Sequence, residues 1–313
     1  MWAAFNSKLG EVKRLISHGA NVNAANNDGC TALNCAVERG HVDGAALLLD
    51  NDADIEARDK LGFTPLVYAA GFCQLSSVAL LLDRGAKIDA ASNNGFTALN
   101  DAAQRGHLAI VELLVKRGAD IELGEEDGQT PLMTAAFNNR IDVVRCLLDN
   151  GAKIDTKNND GFTALYSASQ EGHVDVAKLL LDRGANVHAV TNESNTALHI
   201  VANNNHAGVA ALLISRGAIV DAVNNKGTTP LHAAAGENEK SNIFIVLILF
   251  LSLQLKVTFS SRRCCSRMVP TSMRGYTMVI RRCRWRRRKV TRAWSSCSKP
   301  TARNEKKDFF VYM

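Results

Sequence analysis

The chain predicts an all-α solenoid of stacked helix-turn-helix units with projecting β-hairpin loops, and three ladders of residues predict it. Thr31, Thr64, Thr97, Thr130, Thr163, Thr196 and Thr229 stand at a fixed interval of 33 residues. Two places on, Leu33, Leu66, Leu99, Leu132, Leu165, Leu198 and Leu231 keep the same step. So do Gly19, Gly85, Gly118, Gly151, Gly184 and Gly217, each followed by alanine. A period held this closely marks a repeat architecture in which each period is one supersecondary unit. No such unit can bury its apolar face alone, so stability resides in the interfaces between neighbours.

Taken in order, the chain opens at Trp2-Ala3-Ala4, where the pattern already lies inside a first helix, so the opening reads as a half unit. Two readings stay open there: either Met1 is not the original start, or the array begins without a polar capping unit. Six full units follow, and residues 62–87 show their grammar. Thr64-Pro65 sets a helix start, because the threonine hydroxyl caps and proline lacks an N–H that the first turn would leave unpaired. Leu66, Ala69 and Ala70 give a short first helix with a small face that lets its neighbours approach. After a break over residues 71–74, Ser77-Val78-Ala79-Leu80-Leu81-Leu82 reads as a second helix with apolar residues at steps of three and four. Gly85 ends it, since glycine takes the left-handed conformation at least cost. The stretch up to Asn93-Asn94-Gly95 is a turn former and reads as a projecting hairpin.

A hairpin and two antiparallel helices, with Thr-Pro-Leu and Gly-Ala marks at this period, resemble the ankyrin repeat. The resemblance covers residues 2–237: the half unit, six full units and the start of another at Gly227-Thr228-Thr229-Pro230-Leu231-His232. Departures are local. Ala32, Ala98, Ala164 and Ala197 replace proline, Asp52 and Ser194 replace glycine, and residues 137–140 and Asn205-His206 replace the Gly-His that links the helices. The domain reading is an array over 1–237, an apolar segment over 238–261 and a basic, largely disordered tail over 262–313.

Charge separates these pieces. Of 37 Lys+Arg and 31 Asp+Glu, the tail holds 16 and 2, so the body carries −8 and the tail +14. Such asymmetry ordinarily signals a tail that seeks nucleic acid or membrane. Here the genetic code offers another origin. Joining the third base of each codon to the first two of the next turns Met268-Val269 into GGT, a glycine, because methionine has one codon and all valine codons begin GT. Met278-Val279 is forced to glycine in the same way, ten codons on, the spacing of Gly85 to Gly95. The code also permits Thr-Pro-Leu, Gly-His and Lys-Leu-Leu in the register of the repeat. Keeping the period puts the shifted frame 56 bases beyond its place. Gly236-Glu237-Asn238 permits a splice donor, and Leu251-Ser252-Leu253-Gln254 permits a pyrimidine tract ending in CAG. From one to the other is also 56 bases. Residues 236–254 therefore read as a translated intron and 255–313 as ankyrin coding sequence out of frame, and the apolar run 243–255 follows from a T-rich intron. That run falls short of the ~18 apolar residues that span a bilayer. In this chain it is expected to pack as a makeshift second helix beside the one starting at Thr229-Pro230.

Catalytic and metal constellations are not found. His41, His107, His173 and His206 are period-related, so a stack spaces them in a row instead of converging them, and bonding to loop backbone is expected. Asp54, Asp89, Asp120, Asp155 and Asp221 are likewise expected at solvated hairpin bases, with Asp101 alone in its helix. Cys30, Cys35, Cys73 and Cys146 lack framework spacing and read as reduced, mostly buried thiols. Cys264, Cys265, Cys283 and Cys297 offer no zinc-like spacing. The N-terminus has no signal-peptide core, which favours the cytoplasm with the nucleus also open.

What remains is binding, and the resemblance implies a protein partner along a concave face, without cofactors, without metal and without a small-molecule substrate. Immediately before the recurring threonine stand Cys30, Phe63, Phe96, Gln129, Phe162, Asn195 and Thr228. Phe63, Phe96 and Phe162, next to Leu61 and facing Tyr68, Phe72, Phe137 and Tyr166, are expected to form an apolar strip flanked by Arg105, Asn138 and Glu171. Aromatic anchors with an arginine at the edge favour a protein-binding hot spot. The alternative is that the rings only pack between adjacent hairpins. The functional expectation is a non-enzymatic interaction scaffold. Its rivals are a targeting fragment of a larger multidomain protein and nucleic-acid binding through the basic tail. The sequence argues against nucleic acid and membrane as partners.

Overall fold

Each threonine of the ladder opens a helix. The computed structural model describes residues 1–235, and what was expected of 236–313 lies outside the described residues. Over that span the chain forms α1 (Trp2–Phe5), α2 (Leu9–Ser17), α3 (Ala32–Glu38), α4 (Val42–Leu49), α5 (Pro65–Gly71), α6 (Leu75–Asp83), α7 (Ala98–Arg105) and α8 (Leu108–Lys116). It continues with α9 (Pro131–Phe137), α10 (Ile141–Asp149), α11 (Ala164–Gln170), α12 (Val174–Asp182), α13 (Ala197–Asn203), α14 (Ala207–Ser215) and α15 (Pro230–Ala235). The side chains of Thr31, Thr64, Thr97, Thr130 and Thr163 accept the N–H three residues on, and Pro65 and Pro131 occupy the first turn. These are the caps that the threonine ladder predicts.

Odd- and even-numbered helices form two layers. Each first helix from α3 to α13 packs on its own second helix and on the first helices before and after it. The core between the layers is one continuous cluster. Its deepest members repeat with the period: Leu33, Leu66, Leu99, Leu132, Leu165 and Leu198 from the first helices, Leu48, Leu81, Leu114, Leu147, Leu180 and Leu213 from the second. Burying each such leucine stabilises the array by about 1.5–3 kcal/mol relative to exposure. Alanines at 36, 69, 102, 135, 168 and 202 are also fully buried, which lets the first-helix layer close up.

The hairpins are tighter than expected. Each closes with a backbone bond from one residue to the carbonyl four on, as in Asp59 N–H to Phe63 O at 3.2 Å and Ser92 N–H to Phe96 O at 2.9 Å. No strand is assigned among the described residues, and a single isolated bridge joins Val190 and Thr196. The loops stack instead: Lys60 N–H reaches Asp28 O, Asn93 reaches Leu61, Glu126 reaches Asn94 and Asn159 reaches Asp127, at 2.8 to 3.0 Å. Five-residue hairpins are too short for a paired ladder of their own, so their spare backbone groups are satisfied by the next unit. The acids at the hairpin bases do the same, Asp89 accepting Asp120 N–H at 3.1 Å and Asp155 accepting Asn186 N–H at 3.0 Å.

Substitutions for glycine keep the backbone they inherit. Asp52 (φ 63°) and Ser194 (φ 61°) hold the left-handed conformation, and so do Cys73, Asn139 and Asn205 at the link between helices. On the outer edge, the residue before Gly85, Gly118, Gly184 and Gly217 is an arginine that pairs with an aspartate one unit back. The pairs are Arg84–Asp50, Arg117–Asp83, Arg183–Asp149 and Arg216–Asp182, at 2.7 to 2.8 Å. This charge ladder was absent from the sequence reading, although its spacing of 34 was there to be read.

Candidate functional site

The period-related histidines do not converge. Nε2 of His41, His107, His173 and His206 lies 2.8 to 3.0 Å from the carbonyl oxygens of Phe5, Gly71, Phe137 and Gln170 in the preceding unit. Gln74 and Arg140 replace them in two units and reach the equivalent carbonyls of Glu38 and Gln104. The histidines bond to backbone as expected, but across units, to the last carbonyl of the preceding first helix, so these side chains are unit-to-unit clamps. Among the described residues no group of three or more His, Cys, Asp and Glu is placed to hold a metal ion. The thiols of Cys30, Cys35 and Cys146 are partly buried, but Cys73 is exposed, contrary to expectation, because its left-handed link residue turns outward.

The aromatic residues gather in two clusters instead of one strip. In the first, the Phe63 ring lies 6.2 Å from Phe96 and 6.3 Å, edge-on, from Tyr68, which stacks 6.4 Å from Phe72. Leu61 and Phe72 are exposed at the rim, while Phe63, Phe96 and Tyr68 are half-buried. The Tyr68 hydroxyl donates to Asp59 Oδ2 at 2.8 Å and lies 3.2 Å from the Cys30 sulfur. Burial, then the neighbouring Cys30 and Asp59, raise its pKa, so Tyr68 is a fixed neutral donor.

Arg105 ends this cluster. Its guanidinium stands 5.8 Å over the Phe72 ring while Nε donates to Asp101 at 2.6 Å. Asp101 is buried against Gly71, where any side-chain carbon would collide with its carboxylate. Burial raises the Asp101 pKa and Arg105 opposes that shift. A desolvated carboxylate needs such a partner, and here the pairing also fixes Arg105 above an aromatic face.

Gln129 interrupts the row of rings, and the second cluster starts at Phe162, stacked 4.5 Å from Tyr166. Tyr166 is 8% exposed, so it is not an outward position. It occupies the column of Asn34, Asn100 and His199, which points back at the capping threonine. Burial, then the charge of Glu193, push its hydroxyl up to about 12. Asn138 and Glu171 share a column with Phe72 and Arg105; Asn138 is half-buried and Glu171 exposed. Phe137 is exposed but stands one column away, beside the link that His173 clamps.

Sequence reasoning missed Glu125. It is half-buried beside Thr134, and burial and then the charge of Asp127 push its pKa up to about 6.

The two layers of helices, stacked hairpins and clamps repeat with one period from α3 to α15. The sequence profile described as Ankyrin repeats (3 copies) matches residues 1–59, 54–125, 122–191 and 185–257. The chain belongs to the ankyrin repeat family. Its ankyrin units place both aromatic clusters on the layer of hairpins and first helices. Ankyrin repeats generally serve as protein–protein interaction modules. No curated protein sequence matches this ankyrin chain. Among the described residues no helix is long and apolar enough to cross a membrane.

Proposed function

We propose that the protein is a non-enzymatic scaffold holding a protein partner against the concave face of its ankyrin array. The observation that carries this reading is the cluster Phe63–Phe96–Tyr68–Phe72 with Arg105 over its edge. Half-buried aromatic rings are already ordered by their neighbours, so a partner covering them gains apolar burial without immobilising flexible side chains. The Tyr68 hydroxyl and the Arg105 guanidinium give polar direction at the same patch. The half-buried Phe162 ring, backed by the buried Tyr166, supplies a second and smaller foothold. Gln129, Asn138 and Glu125 lie between them.

Replacing Phe63, Phe96 and Phe162 together by serine tests the reading. Partner capture by the wild-type protein should be lost in the triple variant while its helical circular dichroism persists. Retained capture sinks the proposal, and loss of helicity assigns the rings to packing between hairpins.

A further inference from the structure

We infer that the last ankyrin unit is completed in the gene by a second helix written in the shifted frame of residues 255–290, with the codons of 236–254 as the interruption. The described structure shows what that helix must supply. α15 packs on α13 as each earlier first helix from α3 on packs on its predecessor, and it is the last element among the described residues. A second helix in this array brings one fully buried leucine, seen at 48, 81, 114, 147, 180 and 213. Its end brings a glycine of φ 88° to 93° at 85, 118, 151, 184 and 217. The hairpin beyond brings another glycine, at 95, 128, 161 and 227. The next steps of these three columns are 246, 250 and 260.

Three shifted codons are fixed whatever codons the gene uses. Cys264-Cys265 gives TTG or CTG, both leucine, while Met268-Val269 and Met278-Val279 each give GGT, glycine. With 56 bases removed between the second base of codon 236 and the end of codon 254, they fall at 246, 250 and 260. One of them sets the offset, so the other two are checks, and both land on their columns.

The junction agrees. The first base of Gly236 joined to Leu255 gives alanine or valine, and Leu255-Lys256 then gives lysine, glutamine or glutamate unless Leu255 is CTT, which would give a stop. Lys256-Val257 permits only glycine or serine, Val257-Thr258 permits histidine, and Thr258-Phe259 permits only an apolar residue. Positions 237–240 can thus repeat Glu171-Gly172-His173-Val174 two units back, with room for the histidine that clamps a preceding carbonyl, while position 236 is alanine or valine where Gln170 stands. One column departs: Gly275-Tyr276 gives leucine, isoleucine or valine where other hairpins carry a turn-capping polar side chain.

Genomic and messenger sequence decide the matter. The expected result is GGT at Gly236, CAG at Gln254 and a messenger lacking those 56 bases. Any other codon at either position, or a messenger that always retains them, overturns the inference. At the protein level, the chain carrying the joined frame should have a higher urea midpoint than the 313-residue chain. Equal midpoints would show that the joined sequence completes nothing.

Discussion

The Glu125 carboxylate accepts from the Thr134 hydroxyl at 3.4 Å instead of capping its own hairpin. At the same register Asn26, Asp59, Ser92, Asn158, Thr191 and Asn224 each accept the N–H four residues on, at 2.8 to 3.2 Å. Glutamate is one methylene too long for that turn, so Asp127 takes Gln129 N–H in its place at 2.9 Å, and Glu125 lies over α9. Burial and Asp127 lift its pKa from 4.5 to about 6. A carboxyl whose folded pKa is raised contributes stability that is complete below its unfolded pKa and lost as pH rises through the folded one. Glu125→Gln should therefore leave stability unchanged near pH 4 and raise it at pH 7.5, by roughly 1 kcal/mol once its half exposure is allowed for. Urea titrations at the two pH values measure this; an equal gain at both would show that charge is not the cause.

Gly62 and Gly85 have nearly the same backbone, φ 84° and 88°, and opposite surroundings. A Cβ on Gly85 meets nothing within 4 Å, whereas one on Gly62 meets the Asn93 backbone nitrogen at 2.6 Å. Gly85→Ala should cost only the left-handed penalty of about 1–2 kcal/mol. Gly62→Ala carries that penalty and must also push the neighbouring hairpin away, so its cost should be clearly larger. Equal losses in urea midpoint would mean that the hairpin stack yields freely.

Leu114 is fully buried in α8, which packs on α6, α7 and α10. Leu114→Ala should destabilise by about 2–5 kcal/mol. Because the array is quasi-one-dimensional, the damage should appear as faster amide exchange in that unit and its two neighbours before the ends respond. A uniform increase from end to end would indicate one cooperative block.

The fold was legible because the ladders are backbone requirements: a capping threonine, a buried leucine and a left-handed glycine each read directly from residue type. That the histidines stand in a row and bond to backbone was legible from their period; that they clamp one unit to the next was not. The site was legible only in part. Side-chain columns are set by helix phase, and one residue of phase separates outward Phe72 from the link position of Phe137. Tyr166 was misplaced because an aromatic in the capping column looks, in sequence, like an aromatic on the face. The Asp101–Arg105 pair at 2.6 Å depends on the missing side chain of Gly71, a relation across units that no local pattern carries. Glu125 escaped notice since only the hydrogen bonds of its six register-mates reveal it as an exception.

His199 supplies the last prediction. Its Nδ1 accepts from Thr196 N–H at 3.1 Å and lies 2.9 Å from the Thr196 hydroxyl, while Nε2 lies 3.1 Å from Thr228 O. Nδ1 can accept only in a neutral ring, so the proton sits on Nε2 and donates to Thr228. Burial lowers its pKa, with the Thr228 bond opposing the shift. A histidine with a lowered folded pKa contributes stability above its unfolded pKa, about 6.5, that is lost as pH falls. Protonation would convert the acceptor into a donor facing another donor and release the cap of α13. Asn34 and Asn100 make the same cap through Oδ1, at 3.1 Å from Thr31 N and Thr97 N, without a titrating group. His199→Asn should thus keep most of the stability at pH 7.5 and lose less than wild type at pH 5, with the difference confined to exchange of the α13 amides. Identical acid sensitivity in both proteins would place the titrating group elsewhere.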